Sequence, residues 1–341
     1  MSLPVRHRSD GRLGAVRRAV LLAALAFLVS CTGEPQPTPP VGGGPWKGLA
    51  TAPTARTEVT AASAGKRVFV IGGFAEGGDT VAGVEVYDPG SDSWESGPRL
   101  PVAVNHSMSA SHGAEVYAVG GYLGPGLSNP TDRAFVLRSG GWVELPRMPE
   151  PRAAAGAASV DGKLYVAGGV GPRGLADRLL VFDPSSEAWS TVPGPPTLRE
   201  HLGVAGFEGR LYVVGGRTGG IGTNLGAAEA YDPATDAWST LPDMPTPRGG
   251  IAAAATSNGF IAAAGGEADA TFDEVEAFDV RRAEWVSLPP MPTARHGLGV
   301  SAVGSVLYVI AGGPEPGLAF STANESIDLA EIGLGFSEPS G

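Results

Sequence analysis

The chain has 341 residues with 43% hydrophobic content, 52 glycines and 30 prolines, a composition that supports a packed core broken by frequent turns. The formal charge is −11; the first thirty residues hold five arginines against one aspartate, so the remainder is more acidic still and repels nucleic acid. The single cysteine, Cys31, excludes an intrachain disulfide, a cysteine-based zinc site and a thiol dyad.

In chain order, Arg6, Arg8, Arg12, Arg17 and Arg18 form a basic leader that runs into an apolar stretch from Ala19 to Val29, too short to span a bilayer as a mature helix. Leu28-Val29-Ser30-Cys31 resembles a bacterial lipobox, which implies cleavage before Cys31 and acylation of the new N-terminus. Residues 1–30 are therefore expected to be a lipoprotein signal peptide, with Cys31 as the lipidation site. Several acyl chains, at about 0.8 kcal/mol per buried CH₂, anchor stably where one is marginal. Thr32 stands where many inner-membrane lipoproteins carry Asp, so the expected location is the bacterial cell envelope, at the outer membrane or cell surface. Residues 31–45, CTGEPQPTPPVGGGP, are stiff and then flexible with almost no apolar surface, a tether.

From residue 46 to 329 the sequence repeats. Trp46, Trp94, Trp142, Trp189, Trp238 and Trp285 are separated by 48, 48, 47, 49 and 47 residues, and Gly-Gly pairs begin at Gly72, Gly120, Gly168, Gly215, Gly265 and Gly312. Two markers with one period identify a repeat architecture. Each period reads Pro-x-x-Arg, a run of small residues, a turn, an apolar strand ending in Gly-Gly, a variable loop, and a strand leading to Tyr-Asp-Pro and Trp. That pattern predicts four strands. The second is clearest in LYVAGG, LYVVGG and VFVIGG, apolar and β-branched as buried strands are. The first is unusually small, as in AAAGAAS from Ala153 and IAAAA from Ile251, which suits strands crowded around an axis. Asp-Pro opens a tight turn, and each Trp is expected to be buried between neighbouring units. RAFVLRSGGW, from Arg133, keeps the Trp but lacks Asp-Pro, so a modified hairpin is expected there.

The Gly-Gly doublet, the aromatic-Asp-Pro turn and the Trp at this spacing resemble the Kelch-repeat family. The resemblance implies an all-β, six-bladed Kelch β-propeller with four-stranded antiparallel blades. Trp46 has no doublet before it and Gly312 has no Trp after it, so an N-terminal strand is expected to complete the C-terminal blade and close the ring. Residues 330–341 remain as a tail.

Sixteen or seventeen residues before each doublet stand Arg56, Val104, Arg152, Arg199, Arg248 and Arg295, followed closely by Glu58, Asn105, His106, Glu200, His201 and His296. By the family resemblance these positions lie near one mouth of a central channel, where arginines can grip acidic peptides. Arg56, Arg152, Arg199, Arg248, Arg295 and His296 are thus candidate ligand contacts, since a guanidinium matches a carboxylate bidentately. The competing reading pairs the arginines with repeating glutamates of the outer strand, Glu85, Glu229, Glu276 and Glu325. A three-His metal site needs side chains within a few ångströms, which a wide channel disfavours, so neither metal nor cofactor is expected. Gly169 to Gly174 spells G-x-G-x-x-G but leads into a strand rather than a helix, and Asp88/Asp92 and Asp232/Asp236 read as turn residues. Glu267, Asp269, Asp273 and Glu274 read as a solvated acidic loop.

Two functions remain. The first is a non-catalytic, monomeric recognition scaffold binding a cell-envelope protein, an acidic peptide or a glycan at a propeller face. The second resembles the Kelch-propeller mutarotases of acidic sugars, with Glu200, His201 or His106 moving protons and Arg199 and Arg295 holding the sugar carboxylate. A copper oxidase of the galactose oxidase kind is excluded, because its crosslinked cysteine has no counterpart here.

Overall fold

The computed structural model describes residues 44–333. The leader, Cys31, most of the tether and the tail beyond residue 333 lie outside the described residues. Among the described residues there are six four-stranded antiparallel sheets and one short 3₁₀ turn. The sheets are the blades of a propeller, as the repeat implied.

Blade three shows the plan: Gly156–Val160, Lys163–Ala167, Arg178–Asp183 and Ala188–Pro193 follow each other in chain and in space. Its innermost strand neighbours the innermost strands Met108–His112 and Gly203–Phe207, and the same contact continues through Ala252–Ala255, Gly299–Val303 and Thr60–Ala64 until the ring closes. Crowding at the axis explains the small residues. A Cβ on Gly156 would lie 2.3 Å from a Val204 methyl, and one on Gly206 would lie 2.3 Å from the Ser159 carbonyl oxygen. The second strands are buried along most of their length, as their apolar runs predict.

The sixth blade is assembled from both ends of the repeat region. Gly299–Val303, Val306–Ile310 and Asn324–Asp328 receive Trp46–Gly48 as their fourth strand, with Trp46 opposite Ile327. Trp46 is buried in a cluster with Leu307, Ile327 and Leu329. The other five tryptophans are only partly buried, which corrects the expectation that each is buried between neighbouring units. Their common role is a bond between blades. Each indole N–H donates to a backbone carbonyl of the preceding blade's last segment: Trp46 to Pro289, Trp94 to Ala50, Trp142 to Pro98, Trp189 to Pro146, Trp238 to Pro193 and Trp285 to Pro242.

The modified hairpin of blade two is now explained. Ser139 and Gly140 both adopt positive φ between Ala134–Arg138 and Gly141–Glu144, the two-residue turn whose twist suits a hairpin. Asp-Pro serves in blades one, three and four, where Asp88, Asp183 and Asp232 accept the backbone N–H two residues on; in blades five and six Asp279 and Asp328 do so without the proline. Tyr87 and Tyr231 donate to Asp92 and Asp236, so these aspartates are turn residues. Val170–Gly171 and Gly174–Leu175 form a small hairpin, and the segment leads on into the strand Arg178–Asp183 rather than a helix, as expected.

Trp46→Ala is expected to cost about 3–5 kcal/mol, as large-to-small core changes do, because it removes core contacts and a ring-closing bond together. Trp142→Ala, on a half-buried ring, should cost clearly less. Urea unfolding of the two variants measures the difference, and equal losses would argue against a special closing role for Trp46.

Candidate functional site

The segment entering each blade carries a side-chain clamp. Arg56, Arg152, Arg199, Arg248 and Arg295 are 0–2% exposed. Each guanidinium bonds backbone carbonyls at the end of its own second strand: Gly72, Gly168, Val213, Gly265 and Val309 respectively. Four also pair with the glutamate of the third strand, Arg56–Glu85 at 2.7 Å, Arg199–Glu229 at 3.0 Å, Arg248–Glu276 at 2.5 Å and Arg295–Glu325 at 2.7 Å. The second oxygen of each glutamate accepts from Thr54, Thr197, Thr246 or Thr293, two residues before the arginine.

The exceptions vary together. In blade three Glu150 replaces the threonine and pairs with Arg152 itself, and the third-strand position is Leu180. In blade two Val104 replaces the arginine and Phe135 replaces the glutamate, both in one apolar cluster. The expected cationic mouth is therefore corrected. The arginines stand in the walls with their charges satisfied, and unpairing a buried guanidinium from its carboxylate to receive a ligand is unfavourable.

The clamp residue also links blades through its backbone. Its carbonyl accepts the N–H of the second doublet glycine of the preceding blade, as in Gly73 to Val104, Gly121 to Arg152, Gly266 to Arg295 and, at the closure, Gly312 to Arg56. The doublet glycines are required there. Gly120 has φ 62°, and a Cβ on it would lie 2.2 Å from the Arg152 carbonyl oxygen. In blade six the first doublet position is taken by Ala311, at φ 56°, so the Gly312 doublet is one residue out of phase with the others.

Two residues after each clamp position the backbone is left-handed: Glu58, His106, Ala154 and His201 at φ 50–52°, and Gly250 and Gly297 at 74° and 56°. These residues hydrogen-bond head to tail around the axis. The His106 N–H donates to the Glu58 carbonyl, Ala154 to His106, His201 to Ala154, Gly250 to His201 and Gly297 to Gly250, while Val59 donates to Gly297. This collar holds non-glycine residues in a conformation they ordinarily avoid. It also aims Glu58, His106 and His201 into one cavity of about 110 Å³, which Ala154, Gly250 and Gly297 also line.

The three histidines are brought together, contrary to the expectation of a wide channel. The His106 and His201 rings meet edge to face with centroids 4.9 Å apart. His106 Nε2 lies 3.1 Å from Glu58 Oε2, and His296 Nδ1 lies 3.3 Å from Glu58 Oε1 and 3.5 Å from Glu267 Oε2. Arg217 bridges two carboxylates, donating from Nε to Glu200 at 2.8 Å and from Nη1 to Glu267 at 2.9 Å. Space for this network comes from glycines: a Cβ on Gly297 would lie 2.6 Å from Glu58 Oε1, and one on Gly313 would lie 2.7 Å from His296 Nε2.

The electrostatics follow from burial and neighbours. Burial works to raise the Glu58 carboxyl, but His106, His296 and His201 outweigh it and hold it well below the usual carboxylate range. Burial likewise opposes ionisation of Glu200, yet His201 and Arg217 bring it to about 2. Burial lowers His106 to about 4 against the attraction of Glu58. It works to lower His296 too, but Glu58 and Glu267 prevail and raise it.

Of the sequence candidates, His106, Glu200, His201 and His296 meet at the mouth, and Arg56, Arg152, Arg199, Arg248 and Arg295 do not reach it. Arg217 and Glu267 join them unanticipated. Glu267 is 4% exposed and belongs to the network rather than to a solvated acidic loop. The signal was available in the repeat: the residue after the doublet is Phe74, Tyr122, Val170 and Gly313 in other blades, and is charged only at Arg217 and Glu267.

The family model for the KLHDC2/KLHL20/DRC7 Kelch-repeats domain matches residues 105–313, and the Kelch motif model matches residues 55–101. The chain belongs to the Kelch-repeat family. No curated protein matches it. Kelch propellers commonly serve as protein-interaction scaffolds, and in this one the collar combines small residues, Ala154, Gly250 and Gly297, with the ionisable Glu58, His106 and His201.

Because the clamp residues vary as a set, their substitution should be non-additive. Arg199→Val alone strands Glu229 and is expected to cost about 3–5 kcal/mol. Arg199→Val with Glu229→Phe, the arrangement of blade two, should cost less than the single change. Denaturant unfolding of the two proteins tests this, and a double variant at least as damaged as the single one would rule out the paired role.

Proposed function

We propose that this protein is an exported, lipid-anchored recognition scaffold that binds a protein partner on the loop face surrounding the collar. The observation that carries the reading is where apolar side chains meet solvent. Among the described residues the exposed large hydrophobics are Leu127, Val143, Leu198 and Leu318, and three of them lie on this face. Leu127 and Leu318 sit in the loops after the doublets of blades two and six, and Leu198 sits just before the blade-four clamp.

The blade-six, blade-one and blade-two loops lie side by side. A Cβ on Gly78 would touch Leu318, and Thr80 donates to the Gly124 carbonyl. Exposed Glu76, Asp79 and Glu315 flank the two leucines. The complementary partner is a protein segment presenting apolar residues beside basic ones, which also suits the acidic charge of the chain. An acidic ligand is less well supported, since the clamp arginines are already paired. The mutarotase alternative fares similarly: the cavity under the collar, about 110 Å³, is well below the several hundred Å³ of small-molecule sites. Export and anchoring rest on the leader and on Cys31.

Photo-crosslinking residues placed at Leu127 and Leu318 should capture one partner, while the same groups at Lys66 and Glu208, in the hairpin turns of the opposite face, should not. Leu318→Asp is expected to lower capture from position 127 at least tenfold without changing thermal stability. Equal capture from both faces, or none from either, would sink the reading of the face. Incorporation of an alkyne fatty acid into the wild-type chain, lost in Cys31→Ser, separately tests the anchor.

A further inference from the structure

We propose that Glu58, His106 and His201 bind a divalent transition ion, with Zn²⁺ the ion best suited to the donors. One ligand atom from each of the three lies within 4.8 Å of the others. Two imidazoles and one carboxylate are a sufficient protein ligand set for zinc, with the fourth position left for water or another ligand. Ligands of one tetrahedral ion stand roughly 3.3 Å apart, so closure on the ion requires side-chain movement of about an ångström.

The bonds around the cluster favour ligation. Asn105 donates its amide hydrogens to Thr80 Oγ1 at 2.9 Å and to the Gly124 carbonyl at 3.1 Å. Its Oδ1 therefore faces His106 Nδ1, at 2.7 Å, as an acceptor, and the hydrogen of that bond belongs to the imidazole. His106 Nε2, outside that bond, points at Glu58 Oε2 from 3.1 Å. Both are ligand atoms, and one ion can take the two together. His201 is arranged alike: its Nδ1 donates to Glu200 Oε2 at 2.6 Å, and Nε2 is the ring nitrogen left to ligate an ion. A metal-binding histidine is typically held through its second nitrogen by an amide, a carboxylate or a carbonyl, which fixes its tautomer and orientation.

His296 supplies a second, independent sign. Its Nε2 is held by the Glu315 carbonyl at 3.1 Å, and its Nδ1, on a side chain 1% exposed, has no hydrogen-bond partner and points at Glu58 Oε1 from 3.3 Å. Charge points the same way. Arg217 pairs with Glu200 and Glu267, whose side chains are 11% and 5% exposed, while Glu58, at 12%, meets His106 and His296. The carboxylates of the network outnumber its guanidinium, a surplus that favours a cation. The cavity beneath the collar gives that ion access to water at its remaining position.

The test is calorimetric titration of ZnCl₂ into the full chain after treatment with a chelator and its removal, together with the visible absorption of bound Co²⁺. One ion per chain is expected, with Glu58→Gln and His201→Asn each weakening binding at least 100-fold and removing the cobalt bands. Asn105→Ala should weaken it about 10- to 100-fold through the orientation of His106. Gly297→Ala guards against variants that fail to fold: Ala154 already holds the same backbone conformation, yet the added methyl displaces the Glu58 carboxylate. It should stay folded and bind at least tenfold more weakly. His112→Ala, in the first strand of blade two away from the cluster, should bind as wild type. The proposal fails if the folded wild-type chain takes up no stoichiometric ion at tens of micromolar Zn²⁺, or if binding survives Glu58→Gln, His201→Asn and Gly297→Ala in folded protein.

Discussion

Each blade of this propeller is fastened by one residue acting twice. The side chain of the clamp arginine closes its own blade onto the carbonyls beside the glycine doublet, and its backbone oxygen accepts the doublet N–H of the blade before. A buried guanidinium is a costly element unless each of its partners is fixed, so the threonine, the glutamate and the doublet are constrained along with it. Where blade two gives up the arginine it gives up the glutamate as well, and an apolar pair does the work. The charge is dispensable there, while the backbone bond at Val104 remains.

The collar depends on this fastening. Four non-glycine residues are kept left-handed two positions beyond the clamps, and the cost is offset by the clamps below and the head-to-tail bonds between blades. A position built this way tolerates nearly any side chain whose direction suits the axis. Ala154, Gly250 and Gly297 leave space, while Glu58, His106 and His201 fill it. The Kelch framework thus provides six equivalent positions, and this chain makes three of them ionisable.

The tryptophan and glycine periods made the six blades and their closure legible, because both markers answer to backbone constraints that recur in each repeat. The arginine–glutamate pairing was visible as one of two readings of the same repeat. The mouth was harder to read. His106 and His201 come together because the left-handed turn swings them inward, which residue spacing does not encode, so a wide channel was the wrong picture. Glu267 read as part of a solvated acidic loop and Arg217 carried no reading, because residue spacing does not show that the loop after each doublet pairs back onto the entry segment. The indoles deceived in the opposite direction: their bulk suggested full burial, whereas their repeated contribution is one directed bond.

Closure through Trp46–Gly48 carries a consequence for synthesis. That strand is made before every other strand of the repeat region and must wait for Asn324–Asp328, the last of them, before it has anything to pair with. Until then the nascent chain has a sixth blade with a missing edge and an apolar tryptophan without its pocket. Such an intermediate is open to strand exchange with a second copy, and the short three-residue strand limits how tightly a wrong partner can hold. The ring therefore closes late, on a contact that spans almost the entire folded region.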